Sequence, residues 1–173
     1  SKVLQDHKVI IREAAFAERN WHRYSMHERM VRMGDWIYIR NNWPNKRNLS
    51  GESDPHAFPA AKELWNKHEK GQLTPAQSLI TLLPQPAEEL YHTRNDPHNL
   101  NNVRYAPENR EVLNQMRLLL TTWTNQTGDN IPNNPTPHKA TMHGKLLEWE
   151  RREMPGDATN ASKINHPGPI LMN

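Results

Sequence analysis

Val112, Leu113, Met116, Leu119, Leu120 and Trp123 fall at offsets of 0, 1, 4, 7, 8 and 11. That is the spacing of one face of a helix with a 3.6-residue period. The pattern predicts a helix over 107–126, with Gly128 as its stop. A stripe of this kind must be buried against a second layer. Most of the candidates for that layer are strand-like runs.

Val9 to Glu18 is apolar enough for a largely buried strand, with a helical alternative because its Ala and Glu residues favour helix. Between Glu28 and Asn41, two strand-like runs flank Met33-Gly34-Asp35, the signature of a β-hairpin. In the second run Ile37 and Ile39 alternate with Trp36, Tyr38 and Arg40, which gives one core face and one amphipathic face. Glu88 to Tyr91 reads as a further short strand with Leu90 inward, followed by a turn at Asn95-Asp96-Pro97. Leu100 is expected to return to the core, and Asn101 and Asn102 to satisfy loose backbone groups. The fold class expected is therefore α+β: about four antiparallel strands, near 9–18, 29–33, 36–41 and 88–92, packed against one long amphipathic helix, with long loops.

Residues 42–59 are rich in Asn, Pro, Ser, Gly and charge, and read as loop. Ala60 to Lys70 looks helical, with Gly71 just past its end, and Thr74-Pro75 can open a second short helix carrying Leu79, Leu82 and Leu83. After Gly128 the chain is rich in Pro and Asn. Lys139 to Arg152 is a further helix candidate with Met142, Leu146, Leu147 and Trp149, and 155–173 reads as an extended tail. The organisation expected is one subdomain over 1–127 and an extension over 128–173.

Composition limits how much core such a chain can bury. Apolar residues make up 35% and prolines number 14, with a mean hydropathy of −0.98, which suggests a modest core wrapped in loops. The six Trp argue against plain disorder. A net charge of +3 is compatible with an anionic ligand, a sulfated sugar or nucleic acid, and selects neither. There is no cysteine, hence no disulfide and no thiol nucleophile. No apolar run approaches the roughly 20 residues of a membrane helix, so no membrane partner is expected. The chain opens on Ser1 and not on Met, and is expected to be a piece of a longer protein with any export signal upstream.

The densest chemistry lies in Glu18-Arg19-Asn20-Trp21-His22-Arg23-Tyr24-Ser25-Met26-His27-Glu28-Arg29. Coming after a core strand and before the hairpin, it is expected to be a loop held at a strand's end, where function concentrates. Rings can stack on a sugar, Arg and His can hold an anionic substituent, and Glu and Asn can bond hydroxyls. A solvated polar loop anchored by Trp21 is the plainer alternative, and both stay open. His22 and His27 with Glu28 are metal-type side chains, but a five-residue spacing suits neither one helix face nor the usual zinc patterns; no metal site is expected. Arg32, Arg40, Lys46 and Arg47 with Trp36, Tyr38 and Trp43 could form a nucleic-acid surface, though a charged outer face of the hairpin is the preferred reading. His138 and His143 are taken as surface residues at a helix end. Asn48-Leu49-Ser50, Asn125-Gln126-Thr127 and Asn160-Ala161-Ser162 fit the glycosylation sequon, a triplet common by chance.

Glu88-Glu89-Leu90-Tyr91-His92 through Asp96-Pro97 to Asn101-Asn102 resembles a segment near the C-terminus of sulfatases of the alkaline-phosphatase-like superfamily. It departs from that pattern at His92, Asn99 and Val103. Phe16 to His22, His27 to Arg32 and Gly34 to Asn41 resemble the corresponding part of sulfatases related to heparan N-sulfatase (sulfamidase). Together the likeness spans about residues 9–127. It implies a C-terminal subdomain, a small antiparallel sheet with a packed helix, that docks on a larger N-terminal catalytic domain of the same protein. It implies hydrolysis of sulfate esters or N-sulfates on a glycosaminoglycan-like sugar, in a periplasmic, secreted or lysosomal setting. It also implies that formylglycine and Ca²⁺ belong to the larger domain, since this chain has no Cys and no complete Ser-x-Pro-x-Arg motif. By the same resemblance Asn20, His22, His27, Glu28 and Arg29 are substrate-binding candidates, none of them catalytic. From a different class, a stand-alone binding module for sulfated glycans or nucleic acid remains the other hypothesis.

Overall fold

A computed structural model describes residues 12–50 and 53–140. Four strands, β1 (Ala14–Trp21), β2 (Ser25–Met33), β3 (Trp36–Asn41) and β4 (Glu88–His92), form one sheet in that order, every neighbour antiparallel. Three helices follow the same chain: α1 (Pro59–Glu69) and α2 (Pro75–Thr81) between β3 and β4, and α3 (Arg110–Thr127) after a single 3₁₀ turn at Pro107–Asn109. The α+β expectation is therefore met, with α3 as the long helix over the sheet.

The β2–β3 turn is the two-residue Gly34-Asp35, and Gly34 has φ +56°. Two-residue hairpin loops need that left-handed sign, which glycine adopts without a Cβ clash. At the far end of α3, Gly128 has φ +66°; its N–H bonds to Asn125 O, and the N–H of Asp129 bonds to Thr124 O at 2.9 Å. These are the two hydrogen bonds of a Schellman cap. Thr74 and Gln77 cap α2 reciprocally, with Pro75 at its first position.

Core residues from α3 (Leu113, Met116, Leu119 and Leu120) pack on Ala14, Val31, Tyr38 and Leu90 of the four strands. Phe16 stacks on Trp123 with ring centroids 5.2 Å apart and planes 4° from parallel. The core side of β3 is thus the Trp36 and Tyr38 side, and Ile37 and Ile39 occupy the other. Tyr38 can be buried because its hydroxyl donates to Glu88 Oε1 at 2.5 Å.

Several local expectations are corrected. The strand expected over 9–18 begins at Ala14 and continues to Trp21, while residues 9–11 lie outside the described part. Leu100 is 48% exposed and does not return to the core; Val103 packs there instead, its N–H on Leu90 O at 2.9 Å. The turn at Asn99, with φ +53°, redirects the chain immediately before Leu100. Asn102 fulfils its expected role: its Oδ1 accepts from the Leu90 and Arg104 N–H groups, and its Nδ2 donates to Glu88 O. The Asn101 side chain has no such bond among the described residues, and its N–H is held by Asp96. Trp36 and Tyr38 belong to the core side, so they share no outer basic face with Arg32. The helix expected over 139–152 and His143 fall, apart from Lys139 and Ala140, outside the described residues.

Candidate functional site

Residues 18–29 are not a loop. Glu18 to Trp21 pairs with Ser25 to Arg29 as a hairpin, leaving His22, Arg23 and Tyr24 as its connection. The register shifts between Arg19 and Trp21, so Asn20 sits at a bulge. Bulges re-aim side chains near sites and sheet rims.

Along β2, Ser25, His27, Arg29 and Val31 alternate onto one side and all are buried. Polar groups can occupy that row because each finds partners from distant chain. Arg29, 2% exposed, donates from Nε and Nη2 to the two carboxylate oxygens of Asp129, both at 2.6 Å. Its Nη1 donates to Glu28 O at 2.8 Å. Asp129 is delivered by the Schellman cap of α3, so the helix stop also places the counter-ion.

His27 is packed beside this pair. Asn42 Nδ2 lies 2.8 Å from its Nδ1, and its Nε2 lies 2.9 Å from Asn130 O and 3.0 Å from Arg29 Nη2. Burial lowers the pKa of His27, and the neighbouring Arg29 charge lowers it further. The neutral imidazole is the form this pocket holds.

Residues 137–139 strap the same hairpin. Trp21 Nε1 donates to Pro137 O at 2.8 Å, the Ser25 N–H donates to His138 Nδ1 at 2.9 Å, and the Lys139 N–H donates to Arg23 O. His138 itself lies in extended chain and is exposed, and the helix expected after it falls outside the described residues. The first part of the extension expected from residue 128 is thus folded against the sheet.

On the outer side of the hairpin, Arg19 donates to Leu49 O at 2.7 Å and to Asn48 Oδ1, and pairs with Glu28 at 3.4 Å. Beyond it opens a cavity of about 850 Å³ lined by Arg19, His22, Asn48, Ser50, Ser53, Ala60, Ala61, Glu63, Leu64, Lys67, Gln77 and Ile80. Its far wall is made by α1 and α2, where Lys67 and Glu63 pair at 2.8 Å.

Of the five residues singled out from sequence, only His22 lines this cavity. Asn20 is exposed at the bulge, Glu28 is half-buried against Arg19, and His27 and Arg29 are interior. Lys67 and Gln77 were not anticipated, because nothing local in α1 or α2 says that they fold back on the hairpin tip. Arg19 carried a signal, its place in the charged cluster.

This arrangement can bind and orient a polar ligand. Ser53-Asp54-Pro55 has the serine-to-proline spacing of a formylglycine motif, but Ala57 stands where Arg is required. The Ser53 hydroxyl instead accepts from the Ser50 N–H in a turn. Among the described residues no group of three or more His, Cys, Asp or Glu could hold a metal ion. The sequence thus holds no complete formylglycine motif, and the described residues do not fit Ca²⁺. No described helix is long and apolar enough to cross a membrane.

No family model matches this sequence. Over 106 residues the chain is 30% identical to the ulvan-active sulfatase of Formosa agariphila. The chain is similar in sequence to part of a sulfatase. That match takes in 60% of this chain and 18% of the relative, so the chain spans less than a fifth of the curated protein. Among solved structures, a candidate sulfatase from Bacteroides thetaiotaomicron is 17% identical with a TM-score of 0.39, over 68% of this chain and 17% of that one. A 2-O GAG sulfatase is 16% identical with a TM-score of 0.41, over 79% and 22%. Likenesses of that size decide nothing about fold or activity.

Proposed function

We propose that this chain is the C-terminal part of a sulfatase that removes sulfate ester or N-sulfate groups from a glycosaminoglycan-like sugar in a periplasmic or secreted setting. The observation that carries the reading is the 30% identity over 106 residues to a sulfatase. The nucleophile and the metal site belong to the remainder of the protein, the N-terminal catalytic domain, which is the chain's principal partner. What this chain contributes is a rigid hairpin that borders the substrate.

His22, with Arg19 and Lys67 across the cavity, faces the sugar, and Asn20 and Glu28 flank it. Arg29 and His27 act behind them, because Arg29's bidentate bond to Asp129 fixes the strand that carries the tip. An N-sulfated amino sugar is the finer reading, supported by the sulfamidase-like order of the Phe16–His22, His27–Arg32 and Gly34–Asn41 segments.

The test is release of inorganic sulfate from a heparin-derived oligosaccharide by the full-length protein and by the 173-residue chain alone. The full-length protein is expected to release sulfate and the chain to release none above a blank. Release by the chain alone, or none by a formylglycine-bearing full-length protein on sulfated sugars, would refute the proposal.

A further inference from the structure

A second cavity, about 240 Å³, lies where the chain turns from β4 into α3, and Arg104, Tyr105, Arg110 and Arg117 line it. Three arginines therefore border one small volume. Among the described residues, the carboxylate that pairs with Arg104 and Arg117 is Glu88, and it is fully engaged. Arg117 grips both of its oxygens at 2.7 and 2.6 Å, Arg104 lies 3.4 Å from Oε2, and Tyr38 donates to Oε1. Those bonds, the Arg117 one first, pull the Glu88 pKa down to about 2, so it stays ionised. The cavity's lining residues thus include three cations and no anion, and Glu88 pairs with only two of the three.

Arg110 is the least accommodated of the three. It stands at the first position of α3, where the helix dipole disfavours a cation. Among the described residues it makes no ion pair. Glu108 and Glu111 share that turn, but neither lines the cavity. Beside it Tyr105 is 79% exposed, its ring centroid 4.2 Å from the Arg104 guanidinium carbon. An aromatic ring this open, backed by a cation, offers a flat face to a ligand.

We propose that this cavity is a secondary binding site for the sulfate group of an acidic saccharide. Arg110 and the free edge of Arg104 take the anion, and Tyr105 stacks on the adjoining sugar ring. Guanidinium forks suit the oxygens of such an anion. A nucleic-acid strand is the poorer fit, because its backbone needs a groove that tracks several phosphates. The identity of the ligand as a saccharide rests on the sulfatase reading; the charge excess does not. Such a site would hold a polysaccharide on the enzyme away from the His22 cavity.

Isothermal titration of the full 173-residue chain tests this with three probes: inorganic sulfate, a heparin tetrasaccharide, and a single-stranded DNA oligonucleotide of equal charge. The variants are Arg110→Ala and Tyr105→Ala, neither side chain tied to Glu88, with circular dichroism to confirm folding. The tetrasaccharide dissociation constant should rise about tenfold to a hundredfold in Arg110→Ala. Tyr105→Ala should weaken the tetrasaccharide but leave inorganic sulfate unchanged, since sulfate has no ring to stack. Unchanged affinity in Arg110→Ala, no wild-type binding of the tetrasaccharide, or tighter binding of the DNA would each overturn the site. No sulfate release is measured, so failure here is separate from failure of the hydrolytic reading.

Discussion

Arg29 and Asp129 join through two parallel hydrogen bonds, each 2.6 Å, across 100 residues of chain. The pair ties the second strand of the sheet to the turn that ends the long helix. With Arg29 2% exposed, removing one partner leaves the other charged and desolvated. Arg29→Ala or Asp129→Ala should each cost about 3–5 kcal/mol, whereas replacing both partners by apolar residues should cost less. Arg29→Lys should rescue little, because an ammonium lacks the fork. Urea unfolding of the 173-residue chain measures these losses, and a cost below about 1 kcal/mol for either Ala variant would show the pair to be incidental.

Acid should loosen the same corner of the molecule. The folded state depresses the His27 pKa below its ordinary 6.5, so the unfolded chain binds the proton more readily. The resulting stability is complete above about pH 6.5 and is lost as pH falls from there through the folded value. Unfolding free energy measured across pH 7.5 to 4.5 should therefore fall on the acid side, and the fall should be shallower in His27→Gln. An identical slope in wild type and variant would assign the acid loss to other groups, His138 among them.

The apolar stripe gives a third expectation. Leu119 is 6% exposed and packs against the sheet, so Leu119→Ala should cost about 2–5 kcal/mol. Leu118, one position away, is 68% exposed, and Leu118→Ala should cost less than about 0.5 kcal/mol. Equal costs at the two positions would contradict the orientation of α3.

These two leucines also show why this helix was legible in the sequence. Periodicity is local, and so are the signals at Gly34, Gly128 and Thr74, each of which marks a turn or cap by backbone chemistry alone. The β1–β2 hairpin was not legible. Its inward row runs Ser25, His27, Arg29, and a polar row looks solvated unless its partners are known. Those partners, Asn42, Asp129, Asn130 and His138, come from 15 to 113 residues away. The His22 cavity was hidden for the same reason, since its far wall is made by two helices that fold back from another part of the chain. Leu100 is apolar yet exposed because the left-handed Asn99 beside it sets the chain's direction there, and a backbone angle is not written in residue type.

If the hairpin tip serves the sugar and not the sulfur chemistry, His22 in the full-length protein is where the difference shows most directly. The measurement is kcat/KM for sulfate release by wild type and His22→Ala, on a sulfated oligosaccharide and on a small aryl sulfate. Loss of one hydrogen bond to a charged partner should lower kcat/KM on the saccharide by about tenfold to a hundredfold. The aryl sulfate, which makes no ring contacts, should be turned over nearly as fast as by wild type. Equal losses on both substrates, or no loss on either, would contradict the assignment of this hairpin to the sugar.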